Sequence, residues 1–160
     1  MTTYLALKYL HLVGAAVLFG TGMGIAFFAW FGYRSAMRED NLGLLRGVLS
    51  LTVTADTVFT ATAAALQPVT GLLLWQMSGG SWTSPWLAWV FGVYVFVGVC
   101  WLPVVALQIR LRNAARAAPS IAALDARFHR WFRIWFALGW PAFAGVLVLF
   151  ALMLGRGWFL

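Results

Sequence analysis

Four long apolar stretches separated by short polar ones set the pattern of this chain, at about 4–32, 48–77, 85–109 and 131–155. At a rise of about 1.5 Å per residue each is long enough, as a helix, to cross a hydrocarbon layer of roughly 30 Å. No period-two alternation is visible, so helices rather than a closed barrel are predicted. Short connections make neighbouring helices antiparallel. The predicted fold is an all-α integral membrane four-helix bundle forming one domain over residues 1–160. The first stretch, YLALKYLHLVGAAVLFGTGMGIAFFAW, is too long for a signal peptide and lacks its cleavage pattern, so it is expected to stay in the mature chain.

The polar stretches differ in kind. GYRSAMREDNLGLLRG carries Arg34, Arg38, Glu39, Asp40 and Arg46 and reads as an exposed connection, whereas SGGSWTSPW is an uncharged turn. APSIAALDARF, between two basic clusters, predicts a short interfacial helix. Pro68, Pro103 and Pro141 fall inside the last three spans, where each removes a backbone bond and bends its helix. The first span has Gly14, Gly20, Gly22 and Gly24 instead. Its GTGMG lacks the preceding strand of a nucleotide loop, and Gly20 and Gly24 read as a small-xxx-small packing pair.

Composition confirms lipid as the solvent: 63% of residues are hydrophobic and 9% charged, against about 25% charged in soluble domains. The net charge of +7 does not point to nucleic acid, because six of the eleven Lys and Arg residues lie between Arg110 and Arg133, flanked by apolar runs. That is the positive-inside signature. It puts the first and third connections in the cytoplasm of a bacterial inner membrane and both termini on the outer, periplasmic side. Trp30, Trp131 and Trp135 are expected at the inner interface, and Trp75, Trp82, Trp86 and Trp158 at the outer one. The single Cys100 has no disulfide partner and reads as a packing residue.

Ionisable residues within spans are the candidates for chemistry. Lys8 and His11 are three apart and share a helix face, with His11 about 10 Å below the start of the span. His129 lies at the opposite end of the bundle among Arg127, Arg130 and Arg133, so the two histidines cannot share a metal within one chain. Three readings of His11 stay open: an interhelical hydrogen bond to Thr, Gln or a carbonyl, a metal or haem ligand, or a proton relay. Lys8 is either a snorkelling anchor or the partner of a bound acidic group such as a haem propionate. In the second span Asp56, Thr60, Gln67 and Thr70 form an inward stripe with Ala63 and Gly71. Gln67 and Thr70 come to the depth of His11. Asp56 lies about 15–20 Å further in, as a relay acid or, by preference, as the partner of an inner arginine. Gly14, one turn from His11, would let a flat ring approach the backbone. No CxxC, HExxH, GxSxG or carboxylate pair supports hydrolase chemistry.

YLALKYLHLVGAAVLFG resembles the first helix of HemJ-type protoporphyrinogen oxidases and of CopD-like copper-resistance membrane domains, which share a lysine-x-x-histidine pattern. PVTGLLLW resembles the end of the second HemJ helix, and RFHRWFRIWFALGWPAFAGVLVLFALML its arginine-led final helix. Over its whole length the chain is similar to a bacterial family of uncharacterised, predicted integral membrane proteins. The HemJ resemblance implies a haem b protein acting in redox or electron transfer with quinone or another redox partner. By this resemblance His11 would be the iron ligand and Lys8 a propionate partner, Gly14 would give clearance, Gln67 and Thr70 would line the pocket, and Met77 or Met153 would offer sulfur to the iron. The third-helix lysine of HemJ has no counterpart in PWLAWVFGVYVF, and Leu138, Gly139 and Trp140 replace its polar Asn-Glu before the final-helix proline. Protoporphyrinogen oxidation itself is therefore not implied. The alternatives are a haem-free copper or small-molecule binding or transport module, an accessory membrane subunit, or a structural homo-oligomer.

Overall fold

The computed structural model describes residues 2–155. Trp158 lies outside them. Five α-helices make four spans: α1 (Thr2–Arg38), α2 (Leu42–Ala55), α3 (Thr62–Met77), α4 (Pro85–Ala117) and α5 (Ala126–Leu154). A π-helical segment, Asp56–Ala61, joins α2 and α3 into one span, and no strand occurs among the described residues. All four spans are long and apolar enough to cross a membrane, with mean hydropathies of 2.0, 1.4, 2.3 and 2.2 in chain order. The second is lowest because it carries the polar stripe.

The helices overrun the apolar stretches at the arginine-rich end, where α1 continues to Arg38 and α4 to Ala117. Caps set these ends. Asp40 takes a left-handed conformation (φ 49°) after α1, and the Asn41 side chain accepts from Leu44 N–H at 2.9 Å to start α2. Asp125 caps α5 through Phe128 N–H in the same way. Between them APSIAALDARF forms one 3₁₀ turn, Ile121–Ala123, where an interfacial helix was expected. Its Ala118–Pro119 start cannot continue a helix. At the other end of the bundle Gly79 (φ 70°) closes α3, and Gly80 N–H returns to Trp75 O at 3.1 Å.

The chain closes a ring in which α1 packs on α2 and α3, α2 on α4, α4 on α5, and α5 back on α1. The buried core sits toward the arginine-rich half, with Ala29, Ala36, Leu45 and Ala115 fully buried beside Leu111, Phe128 and Phe132. Lipid gives no hydrophobic drive between helices, so close approach and dispersion hold this core. Gly32 and Gly145 supply the approach: a Cβ there would lie 2.6 Å from Val48 Cγ2 or 2.4 Å from Val97 Cγ2. The expected packing pair does not contribute within the chain, since Gly20, Gly22 and Gly24 have nothing within 4 Å of such a Cβ. Gly24 lines an open groove of about 610 Å³ between α1 and α2 instead.

Three tryptophans expected in interfacial belts are buried. Trp75 and Trp86 stack at 5.0 Å, and Trp86 Nε1 donates to Leu152 O at 2.8 Å, closing one end of the bundle. Trp135 is 4% exposed within the core. The Trp86 and Trp135 N–H groups find acceptors inside, which removes the reason for those indoles to sit at headgroup level. Trp82, at 62% exposure, remains on the surface.

Candidate functional site

Antiparallel packing of α1 on α3 brings four of the expected site residues together in the half remote from the arginines. His11 Nδ1 is 2.8 Å from Thr70 Oγ1. The Thr70 hydroxyl has one proton and also reaches Leu66 O at 2.8 Å; when it donates there, Nδ1 is the donor of the His11–Thr70 bond. In that arrangement Nε2 is left with its lone pair. Gln67 Nε2 donates to His11 O at 3.0 Å, tying the α1 backbone to α3 one turn before Thr70.

Two glycines shape the contact. A Cβ on Gly71 would lie 3.2 Å from His11 Cε1, so the imidazole stands directly on the α3 backbone. A Cβ on Gly14 would lie 2.5 Å from Gln67 Nε2. The room left at Gly14 is thus filled by the Gln67 amide. His11 itself is half-buried, and Lys8, one turn away, is exposed with no ion pair or hydrogen bond among the described residues.

The methionines do not join this contact. Both are exposed, Met77 at 48% and Met153 at 40%. Met77 follows Thr70 by seven residues, about 10 Å further along the helix. Met153 is nearer the level of His11, because Phe19 stacks on Phe143 and packs against Phe150 and so sets the α1–α5 register. His129 is far from His11: its Nδ1 is 2.6 Å from Tyr33 OH, inside an aromatic cluster with Phe128. It is held in the core edge rather than standing with the neighbouring arginines.

The remainder of the polar stripe forms a second, separate site. Asp56 is 4% exposed, and the preferred arginine pairing is not made. The only ion pair among the described residues is Arg38–Glu39. Arg46 donates instead to the carbonyls of Ala115, Arg116 and Ala118, where α4 ends and carbonyls lack helical partners. Arg116 donates to Ser50 Oγ. Asp56 accepts from Trp101 Nε1 at 3.3 Å through Oδ1. Gln108 is oriented by its two neighbours, its oxygen accepting from Trp135 Nε1 at 3.2 Å and its nitrogen donating to Asp56 Oδ2 at 3.2 Å.

Sequence reasoning missed Trp101, Gln108 and Trp135. Gln108 carried a signal, as an amide in an apolar run needs internal partners. Between the two sites Tyr94 OH donates to Ala64 O. Pro68, four residues after Ala64, has no N–H to offer that carbonyl, and the tyrosine takes its place.

No group of three or more His, Cys, Asp or Glu side chains converges as a metal site among the described residues. A family model described as predicted integral membrane protein (DUF2269) matches residues 5–156. No curated protein and no solved structure matches the chain.

Proposed function

The chain belongs to this family of integral membrane proteins, and on that premise we propose that it is a haem b protein of the bacterial inner membrane in which His11 supplies an axial imidazole. The observation that carries the reading is the Thr70 contact. With Nδ1–H donated to the hydroxyl and the hydroxyl donated to Leu66 O, His11 keeps Nε2 free, the pattern of a ligating histidine held by its outer-shell partner.

The residues present fit one haem better than a closed copper centre. A porphyrin brings four nitrogen ligands and asks the protein for one or two, whereas a bare ion needs a ligand cluster that does not converge here. Bound haem would supply one-electron chemistry in the lipid phase, suited to exchange with quinone or another redox partner. Gln67 fixes the height of α1 against α3, and Gly71 seats the imidazole. Lys8 offers an unpaired ammonium one turn from His11 to a propionate. Of the two methionines, Met153 lies nearer the depth of His11 and would be the one to offer sulfur to the iron; a second copy of the chain is the other source.

The Thr70 series tests this. In Thr70→Ser the hydroxyl remains, and haem recovered per chain should stay near wild type. In Thr70→Val the ring loses its acceptor and haem affinity should fall about 10- to 100-fold, the usual effect of removing an outer-shell partner. Nitrogen NMR of labelled histidine in the haem-free protein should show His11 as the Nδ1–H tautomer in wild type and Thr70→Ser, and a mixture in Thr70→Val. A wild-type His11 protonated at Nε2 contradicts the reading.

A further inference from the structure

We propose that Asp56 is a reversible proton-binding site inside the membrane, independent of any group bound at His11. The π-helical segment begins at this residue and turns its carboxyl into the bundle. Within the segment Thr57 Oγ1 donates to Val53 O at 2.8 Å. π segments of this kind cluster at functional sites. Asp56 lies about 20 Å along the span from Thr70, so it belongs to a different layer from His11.

Each protonation state has partners in place. As a carboxylate, Asp56 accepts from Trp101 on one oxygen and from Gln108 on the other, and Trp135 polarises the Gln108 amide from behind. As an acid, it needs an acceptor for its O–H. The Thr60 hydroxyl stands one turn on and faces the carboxyl. It is 7% exposed, and the Asp56 carboxyl is the partner within its reach: the hydroxyl donates to the carboxylate and can turn to accept from the acid. A hydroxyl is both donor and acceptor, so Thr60 serves either protonation state of Asp56. Proton uptake forms one O–H bond on the carboxyl, with the proton drawn from the aqueous phase, and release returns the charge to two N–H donors.

No other charge competes for Asp56. From α1, nothing titratable lies between His11 and Tyr33, and α3 has no titratable residue at all. On α2 the only charged group, Arg46, is held by the carbonyls at the end of α4. On α4, Tyr94 is bound to Ala64 O, Cys100 is a half-buried thiol, Arg110 and Arg112 lie on the arginine-rich side, and Arg116 is held by Ser50. From α5 the facing group is Trp135, and Arg133 is exposed. With no cation at hand, a proton is the simplest neutralising partner for a carboxyl buried in lipid.

Infrared spectroscopy of the protein in lipid nanodiscs, with ¹³C-labelled aspartate, tests the proposal. Asp40→Asn and Asp125→Asn leave Asp56 as the one labelled group; asparagine suits both the left-handed turn at 40 and the helix cap at 125. We expect an isotope-shifted carboxylic acid band that converts to carboxylate bands with rising pH in a one-proton titration. Trp101→Phe should move the midpoint up by about one unit, because it removes a donor to the anion. A label that is carboxylate, or acid, at every pH where the helices stay intact overturns the proposal. So does conversion driven by sodium at fixed pH, which would make this a metal-cation site.

Discussion

A methyl group on Gly14 would collide with the Gln67 amide, while a methyl on Gly20 or Gly24 would meet nothing. At the residue scale this contrast separates glycines that hold helices together from those that stand open. Gly14→Ala should displace Gln67 from His11 O and destabilise the fold by about 0.5–2 kcal/mol, the range for interhelical hydrogen bonds in membranes. Gln67→Ala added to Gly14→Ala should then cost little more, because both changes remove one contact. Detergent-induced unfolding followed by circular dichroism reads both. Additive losses would show that the two residues act separately. The meeting of His11, Gln67 and Thr70 was legible from depth counting, since each sits a known number of turns from its helix end. The role of Gly14 was not: sequence shows that room exists, but only the packing of α3 shows what fills it. Asp56 was misjudged for a related reason. Its nearest arginine in sequence, Arg46, finds a stronger demand at the bare carbonyls of the α4 end.

At the scale of elements, the second span departs most from a regular helix. It holds a π segment and an internal proline within Leu42–Met77, and both of its polar sites flank these irregularities. Pro68 announces a missing bond, but its repair by Tyr94 comes from another helix thirty residues away and leaves no local pattern. Tyr94→Phe should strand the Ala64 carbonyl and cost about 1–3 kcal/mol. In a Pro68→Ala background the backbone N–H returns, and the same Tyr94→Phe change should cost well under half as much. Equal costs in the two backgrounds would mean that the tyrosine serves packing alone. The π segment was invisible in the sequence, because DTVFTA carries no residue that favours one extra residue per turn over an α-turn.

At the scale of the whole molecule, hydropathy alone carried the architecture: four apolar stretches became four helices of 29–37 residues in an all-α bundle. The division of labour inside that bundle was less legible. Packing is tight in the arginine-rich half, where α1, α2, α4 and α5 share a core of small and aromatic residues. In the other half long side chains span the gap between α3 and α4, and the His11 contact sits there at a half-open surface. The proposed haem site would lie in the half away from that buried core.

The absorption spectrum of the protein purified in mild detergent from haem-replete cells tests that account most directly. Wild type should carry a Soret band with haem b in a fixed ratio to chain, and His11→Ala, with helical content intact, should lose it. A colourless wild-type protein, or a band that survives His11→Ala unchanged, would contradict the assignment of His11 as the haem ligand.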